Sequence, residues 1–249
     1  MSVVSLLERP GLMDGVIALD ELWPPFMLQD ICAKLIDSDV RLLDWVFAVV
    51  ADGDETDEVL GRALSIPLRW DSDDERFPER GWDAAIVDSV RCFQQELEPN
   101  TMCLLEVTLR PSLRGSDASR TCLQAVKDIA RQRGLEAVVV PVRPFGKSRR
   151  QDLTMEQYID LRDRDGLPID SWLRLHIEAG GRVAGVAPMS MIVAGTYANW
   201  AKWTGLDMHD HTDRVTVPEA LAPVVLHAQE DIAIYVEPNV WVEHDLRLL

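Results

Sequence analysis

Leu104-Leu105-Glu106-Val107-Thr108-Leu109-Arg110-Pro111-Ser112-Leu113-Arg114-Gly115-Ser116-Asp117-Ala118 is the stretch whose reading decides the fold. Residues 102–109 are mostly apolar or β-branched and read as a strand, residues 111–115 as a turn, and residues 118–133 as a helix. Gly134 closes that helix as its C-terminal cap, because glycine takes the left-handed conformation there without strain. A strand, loop and helix in this order gather free backbone N–H groups and the positive end of the helix dipole at the loop, which is the chemistry of an anion site. Asp117 suits the N-cap of the helix, and its carboxylate would repel a pyrophosphate.

Outward from this unit, residues 135–142 form a short, continuously apolar run, as expected of a central strand buried on both faces. Upstream, residues 25–36 read as helical, residues 45–51 and 59–68 as a hairpin, and residues 82–97 as a helix on their apolar spacing. The acidic runs 52–58 and 71–75 read as solvated loops. Downstream come helices over 154–162 and 169–179, the latter ending at Gly180-Gly181. One or two strands follow over 182–194, then a helical turn over 197–203 and strands at 222–226 and 232–236. This order suits an α/β (α+β) fold, a mixed sheet flanked by helices with C-terminal strands. No linker or repeat is evident. One domain over residues 1–249 is expected, with residues 1–20 as a loosely ordered N-terminal segment.

The chain has 249 residues, 47% hydrophobic and 27% charged, which suffices for a sizeable core. A net charge of −17 lacks the cationic footprint of a nucleic-acid binder. It also means that an anionic ligand needs a locally positive or helix-terminal site. The longest apolar runs are too short to span a bilayer, and the N-terminus does not read as a signal peptide. Cys32, Cys92, Cys103 and Cys122 are scattered and read as reduced thiols of a cytoplasmic protein. His209-Asp210-His211, with Asp207 and Asp213, lies in a polar run without a further ligand at metal spacing, so no metal is expected.

The 104–118 stretch resembles the acyl-CoA motif of GCN5-related N-acetyltransferases (GNATs), a splayed-sheet superfamily. Ordered phrases extend the likeness, among them Pro25-Phe26-Met27-Leu28, Gly81-Trp82-Asp83, Pro141-Val142-Arg143-Pro144, Trp172-Leu173-Arg174-Leu175-His176 and Glu237-Pro238-Asn239-Val240-Trp241. They are similar to one branch, the GNAT-like domains of polyketide synthase loading modules and their stand-alone bacterial relatives. The resemblance implies an acyltransferase of natural-product biosynthesis. Its donor would be an acyl thioester of coenzyme A or of acyl carrier protein phosphopantetheine, and its acceptor a small-molecule amine or thiol. Two alternatives are a malonyl-thioester decarboxylase of the loading-module type and a repurposed domain that no longer uses coenzyme A.

Residue by residue, the resemblance places the donor phosphates near Leu109, Leu113, Arg114, Gly115, Ser116, Asp117 and Ala118. His176 falls where the superfamily carries a tyrosine near the leaving sulfur, and a histidine there suits acid–base work at neutral pH. Glu106, which by strand alternation shares a face with Leu104, Thr108 and Arg110, is a candidate general base. Arg143, Phe145, Trp172 and Met189 are the expected substrate pocket. Phe145 stands where the loading enzymes carry a threonine, and Met189 where relatives often carry a basic residue. Neither offers a hydroxyl or a cation to a malonyl carboxylate, which ranks transfer of a less polar acyl group above decarboxylation.

Overall fold

A computed structural model describes residues 1–38, 40–52, 58–70, 77–113 and 116–247. The acidic run 71–75, most of the run 52–58, and Arg114 and Gly115 lie outside the described residues. In chain order the strands are β1 (Ser2–Ser5), β2 (Val46–Val50), β3 (Val59–Leu68), β4 (Thr101–Leu109), β5 (Ala137–Val142), β6 (Arg182–Thr196), β7 (Arg214–Val215), β8 (Val224–His227) and β9 (Ile232–Asp245). The α-helices are α1 (Met13–Ile17), α2 (Gly81–Gln94), α3 (Ala118–Gln132), α4 (Met155–Ile159), α5 (Ser171–Glu178) and α6 (Tyr197–Thr204). No helix among the described residues is long and apolar enough to cross a membrane.

The strands form one sheet in the order β1-β2-β3-β4-β5-β9-β8-β7, with β6 paired to β9 off that path. Pairing is antiparallel except between β4 and β5, which α3 connects. Gly134 ends α3 at φ 73°. Its N–H bonds the Arg131 carbonyl, and that of Leu135 bonds Ala130, the paired closure of a Schellman cap. One face of the sheet packs Leu104, Val138 and Val140 against Cys122, Leu123 and Val126 of α3. The opposite face packs Cys103, Leu105 and Val139 against Ala85 and Ile86 of α2.

Several expectations are corrected. Residues 1–20 are not loosely ordered: β1 pairs with β2 from Ser2↔Val50 to Ser5↔Phe47, and Leu6, Leu12, Val16 and Leu19 are buried in a cluster of their own. The 25–36 helix breaks into 3-10 turns at Met27–Gln29 and Ala33–Ser38. Asp30 lies between them, and its carboxylate accepts the N–H groups of Cys32 and Ala33, which satisfies the backbone locally instead of through a helix. The last strand extends to Asp245, well beyond residue 236. Pro238 interrupts the apolar pattern, but the ladder with β6 steps from Ala187↔Asn239 to Met191↔Glu237, so a bulge lies opposite the proline, which has no N–H to pair.

Candidate functional site

Strands β4 and β5 pair only from Thr101↔Ala137 to Cys103↔Val139, then diverge although both continue. Two features of the sequence account for the split. On β3, the consecutive residues Leu64 and Ser65 face Glu106 and Leu104, leaving Leu105 as the extra residue of a β-bulge that bends β4. On β5, Pro141 sits two residues past the last pair and has no N–H to donate. The opening is a slot of about 40 Å³ between residues 104–107 and 140–143, bordered by Trp23, Phe145 and Trp172.

The bulge also inverts the alternation of β4. Leu104 stays in the core on the α3 face, whereas Leu105 and Glu106 both border a second cavity of about 660 Å³. Glu106 therefore does not share a face with Leu104, which is a correction to simple alternation. Trp23, Leu105, Glu106, Pro141 and Arg143 line both the slot and the cavity and form the junction between them.

At that junction the charges are fixed in pairs. Arg62, on β3, grips the Glu106 carboxylate with two nitrogens, at 2.7 and 3.0 Å, and reaches Asp20 at 2.6 Å. Trp23 Nε1 donates to Glu106 Oε1 at 3.1 Å and to Thr108 Oγ1 at 2.9 Å, and the Thr108 hydroxyl also donates to Glu106. Arg143 Nε meets both Glu237 oxygens at 3.1 and 3.0 Å, and its guanidinium lies 5.9 Å from the centre of the Trp23 ring. Tyr235 and Asn239 complete the shell of Glu237. Forked arginine–carboxylate contacts of this kind fix geometry as well as charge.

Asp30 also borders the cavity. Its carboxylate, the Cys32 thiol and the Asp83 carboxylate come within 4.8 Å of one another. Burial first, then the neighbouring Asp30, pushes the Asp83 carboxyl up to about 6, and burial raises Asp30 as well. Asp83 Oδ1 is buried without a hydrogen-bond partner, while its other oxygen meets Arg80 at 3.2 Å.

His176 is not at the junction. Its side chain is wholly buried, Nδ1 lies 3.0 Å from His244 Nε2, and the ring packs edge-on against Trp172 at 4.9 Å. It lines neither the slot nor the cavity, and Trp172 is the member of that stack that borders the slot. Burial, then His244, lowers the imidazole to about 3, so it is neutral at physiological pH. The structure places His176 in a buried histidine pair, away from both the slot and the cavity.

Among the other expected residues, Arg143, Phe145 and Trp172 do meet at the slot, with the two rings 6.1 Å apart and Phe145 60% exposed. Met189 does not. It falls in the β6 bulge opposite Pro238, and its N–H bonds Glu79; Met191, past the bulge, borders the cavity in its place. In the expected phosphate loop, Leu109 ends β4, Leu113 ends a 3-10 turn, and Ala118 opens α3. Asp117 holds the N-cap position without a side-chain cap bond. Ser116 Oγ accepts the Ala118 N–H at 3.2 Å instead, leaving the Asp117 carboxylate exposed. His209, Asp210 and His211 are not among the converging ligand groups of the described residues. Cys103 and Cys122 are core thiols.

Trp23, Asp20, Asp30, Arg62, Glu237 and His244 were not anticipated as site residues. Arg62 carried a legible signal, since it is the single charge inside a strand of otherwise apolar or small residues.

Solved structures share this overall fold. The loading GNAT-like domain of CurA from Lyngbya majuscula matches with a TM-score of 0.58 at 17% identity, over 99% of this chain and 98% of that one. The GphF GNAT-like decarboxylase in complex with isobutyryl-CoA matches with a TM-score of 0.60 at 19% identity, over 99% and 100%. The chain has the GNAT fold. No family model matches it. Arginine N-acetyltransferase avaD of Aspergillus versicolor is 28% identical to this chain over 260 residues, covering 94% of this chain and 89% of that protein. The slot is the splay between β4 and β5, and the large cavity opens directly beside it.

Proposed function

We propose that the protein is an N-acyltransferase that moves a small acyl group, foremost acetyl, from a coenzyme A thioester to a nitrogen of a cationic small molecule. The observation that carries this reading is Glu106, which among the described residues is the one carboxylate that borders both the splay and the cavity. The thioester carbonyl lies in the splay, where backbone N–H groups freed by the divergence of β4 and β5 polarise it. The acceptor occupies the cavity with its nitrogen at the junction. Glu106, held in place by Arg62, Trp23 and Thr108, takes the proton released as the carbon–nitrogen bond forms. As the carbon–sulfur bond breaks, the departing thiolate takes a proton from solvent and Glu106 returns the amine proton to solvent, so the products are the amide and the free thiol.

The arginine N-acetyltransferase relative supports a nitrogen acceptor. The size of the slot favours a two-carbon acyl group. A carrier-protein thioester presents the same pantetheine arm and is the second donor this reading admits. Decarboxylation gains no support, because its histidine lies behind Trp172 and Arg143 is already committed to Glu237.

Incubation with acetyl-CoA and argininamide, followed by mass spectrometry and thiol titration, tests the proposal. One acetyl group on the acceptor for each thiol released is expected. Thiol release with an unmodified acceptor would overturn it.

A further inference from the structure

The cavity is larger and less polar than a free amino acid requires. Pockets of several hundred Å³ enclose drug-sized ligands, and this one spans about 660 Å³ with Met13, Val16, Met27, Leu42 and Leu64 among its walls. Ile17, Leu28 and Val40 line it and are also 54%, 42% and 70% exposed, which places them at its rim. Single exposed apolar residues are ordinary. Here three of them, from three separate segments, border one opening, so apolar surface continues from the rim into the interior.

The charges inside complete the picture. Asp20, Arg62 and Glu106 neutralise one another, as do Arg143 and Glu237. Lys34 also lines the cavity and is exposed. Asp30 accepts only backbone N–H groups, with no ion pair among the described residues. Behind it stands Asp83, 2% exposed, with one oxygen unpartnered and the other paired with Arg80, so that among the described residues the two carboxylates have one guanidinium between them. Buried charge of this kind calls for a counter-charge, and the Trp23 and Trp82 rings that share the cavity wall favour an organic cation.

On the acyl-transfer reading above, we infer that the acceptor is an amphipathic cation larger than a free amino acid. Its reacting nitrogen lies at Glu106, a second positive group is offset by Asp30, and an apolar body extends to Ile17, Leu28 and Val40.

Calorimetric titration of three probes tests this without turnover: argininamide, arginine β-naphthylamide and citrulline β-naphthylamide. The arginine naphthylamide is expected to bind at least about tenfold more tightly than either of the others, the worth of one well-placed contact of each kind. Val40→Asp at the rim should shrink the first ratio toward one, and Asp30→Asn the second, with thermal melting reporting whether each variant folds. Equal affinity for the two arginine probes would overturn the apolar body. Equal affinity for the arginine and citrulline naphthylamides would overturn the cation. Acetyl transfer at equal efficiency to both arginine probes would sink this inference and leave the acyltransferase reading standing. The expected binding ratios without any transfer would do the reverse.

Discussion

The Trp23 indole, from the segment between β1 and β2, is bonded through Nε1 to Glu106 Oε1 on β4 at 3.1 Å. The bond spans 83 residues of sequence and sets an aromatic wall between the narrow splay and the wide cavity. A group in that position limits how far an acyl chain extends from the splay.

Trp23→Ala should therefore widen acyl selectivity. The ratio of hexanoyl to acetyl transfer is expected to rise about tenfold or more, since each methylene accommodated in an apolar pocket is worth about 1–3 kcal/mol. Steady-state rates with the two coenzyme A thioesters check this, and an unchanged ratio in a folded variant would mean that the acyl chain does not meet Trp23.

The buried histidine pair predicts an effect on stability in place of one on catalysis. Burial, the leading cause for both rings, lowers His176 to about 3 and His244 to about 4 from an ordinary 6.5. The stability this represents is present above pH 6.5 and is lost as pH falls toward those values. His176→Leu should move acid unfolding to lower pH and slow transfer by less than about tenfold, against the 10²–10⁴-fold expected on losing a general acid. A loss in that larger range from a folded variant would restore His176 to the chemistry.

Asp83 titrates with the opposite sign. Its carboxyl is raised from 3.8 to about 6, so the folded state holds the proton more tightly than the unfolded chain. That contribution is complete below pH 3.8 and is lost as pH rises through 6. Asp83→Asn has no such titration, and its stability relative to the parent should climb between about pH 4 and pH 7, by up to an order of 3 kcal/mol. Chemical denaturation across that range reads the difference; a constant offset would show that Asp83 does not carry the proton.

Much of this fold was legible because its central unit is local. The turn after β4, the length of α3 and the cap at Gly134 depend on residues adjacent in sequence, and β3 follows its apolar pattern over the ten residues Val59–Leu68. The junction was legible only in part. Glu106, Arg143, Phe145 and Trp172 fall on the elements that frame the splay, whereas Trp23, Asp20 and Asp30 reach the cavity from short 3-10 segments without periodicity. Two bulges account for the other misreadings, since each shifts the parity of a strand: one turns Glu106 toward the cavity, the other takes Met189 away from it.

Acyl transfer where splay and cavity meet at Glu106 is probed most directly by the Glu106→Gln variant. Gln keeps the shape of the side chain. Arg62 keeps Asp20 as a partner, so the loss of the Glu106 charge is expected to cost less than the roughly 3–5 kcal/mol of a wholly unpaired buried charge, and melting must first establish that the variant is folded. With acetyl-CoA and arginine β-naphthylamide as substrates, kcat should fall about 10²–10⁴-fold while the KM for acetyl-CoA stays close to that of the parent. A folded Glu106→Gln protein that transfers acetyl at the parental rate would contradict the account.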